Sequence, residues 1–239
     1  MSALRLPSLV LAGLIAGGTF GLLPNRMLAA AAPAVVPLTA PRAQTWAFAE
    51  DGVVFDTQFA AARINACVRT ARDQFALATS PENRPINASP WFAFRVSAKT
   101  EKTISIRLSC EGTALRYIPK ISVDGVTWIA LPAEAYKHGP SADEGTLTLK
   151  VGKEPLWIAA QEIISTERLE SWSRTLERLP FITRAEIGRS VLGQPLYQLE
   201  INAVPAGTKP NFITVVSRQH PPETTGSQAL MRFIKILSF

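Results

Sequence analysis

Between Phe92 and Val151 apolar and polar residues repeatedly alternate with a period of two, and this limits the fold more than any other feature. Phe92, Phe94 and Val96 alternate with Ala93 and Arg95. Ile104, Ile106, Leu108 and Cys110 alternate with Ser105, Arg107 and Ser109, and Leu147, Leu149 and Val151 repeat the alternation. Successive side chains of a strand point to opposite faces, so the pattern predicts strands with one buried and one wet face. Ile121 and Val123 lead into Asp124-Gly125, a hairpin-type turn, followed by Trp128 and Ile129; Asp51-Gly52 is another turn signal. Eighteen prolines and fourteen glycines supply many turns. Short strands cut by such turns predict an antiparallel β-sandwich over residues 44–164.

The character changes at Ser165. Leu169, Trp172, Leu176 and Leu179 recur at steps of three, four and three, the pattern of an amphipathic helix. Ser165 or Thr166 can cap its start, Glu167 and Glu170 suit its positive end, and Pro180 stops it. Three strand candidates follow: Thr183 to Gly188, Leu196 to Ala203 and Asn211 to Ser217. A final helix begins near Ser227, with Leu230, Phe233, Ile234 and Leu237 as apolar positions that need a sheet to cover. Helix, strands and helix in this order read as the beginning of an α/β domain over residues 165–239. The expected fold is therefore two-domain, α+β with α/β: a β-sandwich followed by an incomplete α/β/α domain.

Residues 1–30 stand apart. Arg5 is positive, Leu6 to Leu23 are mostly apolar without charge, and Ala29 to Ala32 are small, the pattern of a secretory signal peptide. The alternative is a retained membrane anchor, because the apolar run is long. Residues 31–43, rich in Ala and Pro, read as a linker. The expected location is outside the cytoplasm, periplasmic or secreted, with no membrane contact once the leader is cleaved. The net charge of +6 falls to +4 without Arg5 and Arg26 (23 − 19), and the basic residues are scattered. This excludes a nucleic-acid surface as the leading reading. Cys67 and Cys110 are available for one disulfide in an exported protein, or for two buried thiols.

The chemistry-bearing stretch is Ser217 to Gly226, SRQHPPETTG, which follows the apolar run Phe212 to Val216. His220 and Glu223 are three residues apart in one loop, and an imidazole and a carboxylate suit zinc. Pro221 and Pro222 limit φ and remove two amide donors, which can hold both side chains toward one point. The strand end of an open α/β sheet is also a common ligand site. An HxxE spacing is equally found in exposed loops with no metal.

The wider sequence resembles the M14 zinc carboxypeptidases, in particular the branch related to cytosolic carboxypeptidases, whose members often carry an all-β domain before the catalytic one. Glu186 to Leu196, EIGRSVLGQPL, resembles that family's opening strands and glycine-serine turn, with Gln194 where a basic residue is frequent. Arg218 to Gly226 resembles its first zinc motif, and Ser122 to Trp128, SVDGVTW, resembles a segment of the accompanying β domain. The resemblance implies zinc as cofactor, His220 and Glu223 as its first two ligands, and peptides as substrates. The known His/His/Glu zinc site of carboxypeptidase A is the precedent for that ligand set.

Other parts of such a site have no match. No histidine follows His220, and no asparagine–arginine substrate pair or general-base glutamate is recognisable. His138 reads as a surface turn residue, and Glu186 and Glu200 fall in the wrong segment to act as base. No catalytic residue is therefore assigned. Two readings follow. One is a zinc metallocarboxypeptidase-family protein represented by a catalytically incomplete fragment, with the remainder encoded downstream. The other is an exported, non-catalytic β-sandwich binding module with a vestigial peptidase segment, Trp91 and Trp128 being available to line a binding face or to pack in the core.

Overall fold

The computed structural model describes residues 9–11, 43–81, 89–202 and 213–238. The linker at 31–42, most of the leader, and the strand ends expected at 203 and 211–212 lie outside the described residues. In chain order the strands are β1 (Leu9–Leu11), β2 (Thr45–Phe48), β3 (Val53–Asp56), β4 (Ala66–Ala71), β5 (Gln74–Thr79), β6 (Ala93–Ala98), β7 (Lys102–Cys110) and β8 (Lys120–Ser122). There follow β9 (Ile129–Ala130), β10 (Tyr136–His138), β11 (Glu144–Val151), β12 (Leu156–Ala159), β13 (Ile182–Arg189), β14 (Pro195–Ile201) and β15 (Ile213–Thr214). Helix α1 is Thr166–Leu176 and α2 is Thr224–Ser238. The architecture is mixed α+β.

The chain divides into two compact units. The first comprises residues 37–165 and 220–227; the second comprises 166–219 and 228–239 with the N-terminal segment that carries β1.

The first unit holds a five-stranded sheet, β10-β11-β7-β5-β4, and a six-stranded sheet, β2-β3-β6-β12-β8-β9. The period-two pattern decides which residues go inside. Ile104, Ile106, Leu108 and Cys110 of β7 and Leu147, Leu149 and Val151 of β11 are all buried. Phe94 and Val96 do the same in the other sheet. Phe55 of β3 meets Phe75 of β5 with ring centroids 5.0 Å apart, which brings the two sheets' apolar faces into one core. Two expectations need correction. The pairing is not wholly antiparallel: β5 runs parallel to β7, with Gln74 opposite Ser105 and Thr79 opposite Cys110. The intervening β6 lies in the other sheet, so the chain crosses over and returns in its original direction. Ala93 is fully buried rather than wet, because its backbone bridges that of Arg63.

The Asp124-Gly125 turn joins β8 and β9, with Gly125 at φ +72°. Val123 lies beyond the strand and is 81% exposed, so the loop is longer than a tight hairpin. The Asp124 carboxylate organises it, accepting from the backbone N–H of Thr127 at 2.7 Å and Val126 at 2.8 Å, and bonding Ser122 Oγ at 2.8 Å. These bonds hold its carboxyl far below the usual range. Cys67 and Cys110 are free and buried. Burial pushes the Cys67 thiol up to about 12 and also raises that of Cys110. Trp91 is a core residue whose Nε1 donates to Ala61 O at 2.8 Å, and Trp128 packs against the core with its Nε1 on Gly125 O. Neither is an open aromatic platform.

The second unit is a four-stranded sheet, β13-β14-β1-β15. β13 and β14 form an antiparallel hairpin from Ile182↔Ile201 to Arg189↔Pro195, with an irregularity between Glu186 and Gly188. Gly193, at φ +76°, closes its turn, where Ser190 N–H donates to Gln194 O at 2.8 Å. Leu176, Ile182, Leu199, Ile201 and Ile234 form the core, with Trp172, Leu179, Leu230 and Leu237 packed against it. Helix α1 stops at Leu176 rather than at Pro180, and Leu179 joins the core from the turn that follows. Leu169 and Phe233, expected inside, are each 42% exposed. Among the described residues no helix is long and apolar enough to cross a membrane.

Candidate metal centre

β15 ends at Thr214, and an irregular stretch carries the chain to His220. Arg218 takes φ +51°, the left-handed region, which turns the backbone sharply just before the histidine. Partial burial lowers the pKa of its guanidinium. After His220 the two prolines form a turn, closed by Glu223 N–H donating to His220 O at 3.2 Å. Pro222 and Thr224 are buried, whereas His220, Pro221 and Glu223 are exposed. The loop is thus anchored from within and offers its polar residues to solvent. Glu223 O accepts from Gly226 N–H at 3.0 Å at the start of α2. Glu223 thus stands immediately before the helix, while its carboxylate turns back toward His220.

The structure brings His220 and Glu223 together. His220 Nδ1 lies 2.6 Å from Glu223 Oε1, and the His220 backbone N–H donates to Glu223 Oε2 at 3.1 Å. The side chains are 54% and 46% exposed. A pair so open to water contributes only about 0–1 kcal/mol to stability. A cation can therefore displace it at little cost.

The donor set fits zinc chemically. Zinc takes imidazole nitrogen and carboxylate oxygen at about 2.0–2.2 Å, which in a tetrahedral site sets the two donors about 3.3 Å apart. The observed 2.6 Å is a direct hydrogen bond, so the side chains would have to separate by about 0.7 Å to share an ion. The number of donors falls short: among the described residues no group of three or more His, Cys, Asp or Glu gathers for a metal.

The remaining candidates are placed elsewhere. His138 sits exposed at the end of β10, its ring centroid 5.1 Å from that of Tyr136. Glu186 pairs with Arg189 at 2.9 Å on the β13 hairpin, and Glu200 lies in β14. The sequence reading missed two features of the loop: the left-handed turn at Arg218 and the grip of Glu223 on the His220 backbone. Neither leaves a signal in residue type, since arginine is not a residue that favours positive φ.

Similarity to known proteins is concentrated in this region and in the fold. Residues 169–238 match the peptidase M14 family, described as zinc carboxypeptidase. No curated protein matches. The structure superposes on a metallo-carboxypeptidase from Burkholderia cenocepacia with a TM-score of 0.63 and 21% identity, covering 78% of this chain and 49% of that one. A protein from Burkholderia mallei, provisionally named a carboxypeptidase, gives 0.65 and 23%, covering 78% and 47%. A metallo-carboxypeptidase from Pseudomonas aeruginosa, in complex with (2-guanidinoethylmercapto)succinic acid, gives 0.51 and 20%, covering 64% and 41%. The chain thus spans about half the length of the first of these structures or less of the others. At the level of fold, and over residues 169–238 of its sequence, this protein is similar to the zinc carboxypeptidases.

Proposed function

We propose that this chain is part of an exported, zinc-dependent peptidase of the metallocarboxypeptidase type, with His220 and Glu223 as two of its zinc ligands and peptides as its substrate class. The observation that carries the reading is the 2.6 Å approach of His220 Nδ1 to Glu223 Oε1, inside the segment that matches the zinc carboxypeptidases. In this reading residues 44–164 are an accompanying β-sandwich and residues 165–239 open the catalytic α/β domain.

Bound zinc would polarise a scissile carbonyl and lower the pKa of a coordinated water. The chain's own part is to present the two donors. The Pro221-Pro222 turn sets their spacing. The backbone bond from His220 N–H to Oε2 keeps the carboxylate oriented while Oε1 faces the imidazole. A further ligand and the groups that hold substrate must come from residues not gathered here, so the isolated chain is proposed to be catalytically incomplete. The competing reading is a non-catalytic exported module, and it draws on the shortage of donors around His220 among the described residues.

Metal binding separates the two. Titration of the metal-free chain with zinc, and with cobalt(II) as a spectroscopic substitute, should show one site. His220→Ala and Glu223→Ala should each weaken it by roughly tenfold or more, at least the loss seen when an outer partner of a metal ligand is removed. Equal binding by both variants refutes the assignment. Peptides with free C-terminal carboxylates should show negligible turnover with the chain and zinc alone. Hydrolysis that disappears in His220→Ala would show that the site is completed without further sequence.

A further inference from the structure

One carboxylate oxygen of the second unit gathers side chains from three elements. Glu170, on α1, accepts from Arg174 of its own helix, whose terminal nitrogen and Nε lie 2.7 and 3.2 Å from Oε1. Tyr197 of β14 donates its hydroxyl to the same oxygen at 3.2 Å. The guanidinium of Arg184, on β13, comes to 3.5 Å. Arg184 stands opposite Leu199 in the hairpin, next on that face to the Ile182↔Ile201 pair, so it occupies the core face of the sheet. Its side chain is only 8% exposed, and its guanidinium carbon lies 3.4 Å from the Tyr197 ring centroid. Both carboxylates that pair with it, Glu170 and Glu177 at 4.0 Å, belong to α1. Among the described residues its Nε and one terminal nitrogen meet no hydrogen-bond acceptor.

We infer that Glu170 is the catch of a charge latch that holds α1 on the β13–β14 hairpin, and that neutralising this one carboxylate frees the helix. The apolar grip of α1 is slight: among its residues only Ser173 and Leu176 are buried, Trp172 is partly so, and Leu169 is 42% exposed. A helix of 11 residues is marginal in water unless something docks it. The latch is also asymmetric. A buried guanidinium that loses its partner is left as an uncompensated charge, which costs far more than replacing the pair with apolar side chains. Glu177 does not take over, being 4.0 Å away and 40% exposed. Glu170 is thus required because Arg184 is there. Bonding to Arg174, against the opposing effect of burial and helped by the Tyr197 hydroxyl and Arg184, holds the Glu170 carboxyl below its usual range. The latch is therefore closed above the ordinary glutamate value of about 4.3 and opens as the pH falls through the lower folded value. Helix α1 is the first element after residue 165, where the chain leaves the first unit, so acid loosens the segment that joins the two. No metal-ligand candidate takes part, so this inference stands or falls independently of the zinc reading.

The test follows hydrogen exchange in the full chain, read as protection factors, with the β7 amides as internal reference. Glu170→Gln should lower the protection of the α1 amides by roughly tenfold or more and leave β7 unchanged. Arg184→Met added to Glu170→Gln should restore α1 to within about threefold of the wild type, because no buried charge then remains. If Glu170→Gln alone does not fold, recovery of a folded second unit in that double variant reads the same asymmetry. Arg174→Ala removes an exposed i,i+4 pair and should change α1 protection by less than about threefold. In the wild type, α1 should lose protection below about pH 4 ahead of β13 and β14, and Glu170→Gln should lack that step. Unchanged α1 protection in Glu170→Gln, no rescue by Arg184→Met, a loss in Arg174→Ala as large as in Glu170→Gln, or no acid step in the wild type would each overturn the inference.

Discussion

Phe55 is the residue whose removal tests the first unit most directly. It is fully buried on β3, and its ring lies 5.0 Å from that of Phe75, 6.0 Å from Phe94 and 6.1 Å from Phe48. Phe55→Ala removes the transfer free energy of a buried aromatic side chain, about 2–3 kcal/mol. It also opens a space of roughly 100 Å³ before relaxation, which at about 24 cal/mol per Å³ adds about 2 kcal/mol. The sum, reduced by partial collapse, predicts a loss of about 3–5 kcal/mol. Phe55→Leu keeps most of the volume and should lose about 1–2 kcal/mol. Urea unfolding followed by tryptophan fluorescence reports on this unit, because Trp91 is in its core and Trp46, Trp128 and Trp157 pack against it. The midpoint should fall while the slope stays constant, since the surface exposed on unfolding barely changes. A loss under about 1 kcal/mol for the alanine variant, or equal losses for alanine and leucine, would refute a single core shared by the two sheets.

Two further predictions concern the turn at residues 122–127. A Cβ on Gly125 would sit 3.1 Å from the Trp157 ring at a φ of +72°, so Gly125→Ala should destabilise by about 1–2 kcal/mol and lower the melting temperature by a few degrees; an unchanged melting temperature would contradict the turn geometry. Asp124 is held ionised by the backbone N–H groups of Thr127 and Val126 and by Ser122, so its folded-state pKa lies below its unfolded value. Its contribution is fully present above the ordinary aspartate value of about 3.9 and is lost as the pH falls through the lower folded value. The stability gap between the wild type and Asp124→Ala, measured by denaturant unfolding, should therefore be constant near neutrality and narrow only in acid; a gap that widens in acid would contradict the bonding.

The parts of the fold that were legible are those governed by local periodicity. β7 and β11 keep a strict alternation over eight or nine residues, and the buried set follows it without exception from Ile104 to Cys110 and from Leu147 to Val151. The parallel pairing of β5 with β7 was not legible, because alternation fixes which face a residue occupies and says nothing of strand direction. Arg95 shows a different limit. It reads as a wet-face residue, yet it pairs with Asp56 and lies over the rings of Phe59 and Trp157, at 5.1 and 4.8 Å. A guanidinium can be half-buried when its charge is paired and its plane is stacked, and no pattern of hydrophobicity encodes that.

The same division runs through the candidate site. His220 and Glu223 converge through bonds that span three residues, the turn from Glu223 N–H to His220 O and the grip of the carboxylate on the His220 amide. A contact of that range is a property of the loop's own sequence, and two prolines between the ligands make it more so. The placement of Leu9–Leu11 is the opposite case. Its partners, Leu199–Ile201 and Ile213–Thr214, lie at the other end of the chain, and an uncharged apolar run carries no mark of which edge it will pair with. As a sequence it reads as an export leader; as a backbone it supplies hydrogen bonds to any bare strand edge within reach. The two descriptions draw on different properties of one segment, apolar side chains for the first and an unbroken main chain for the second.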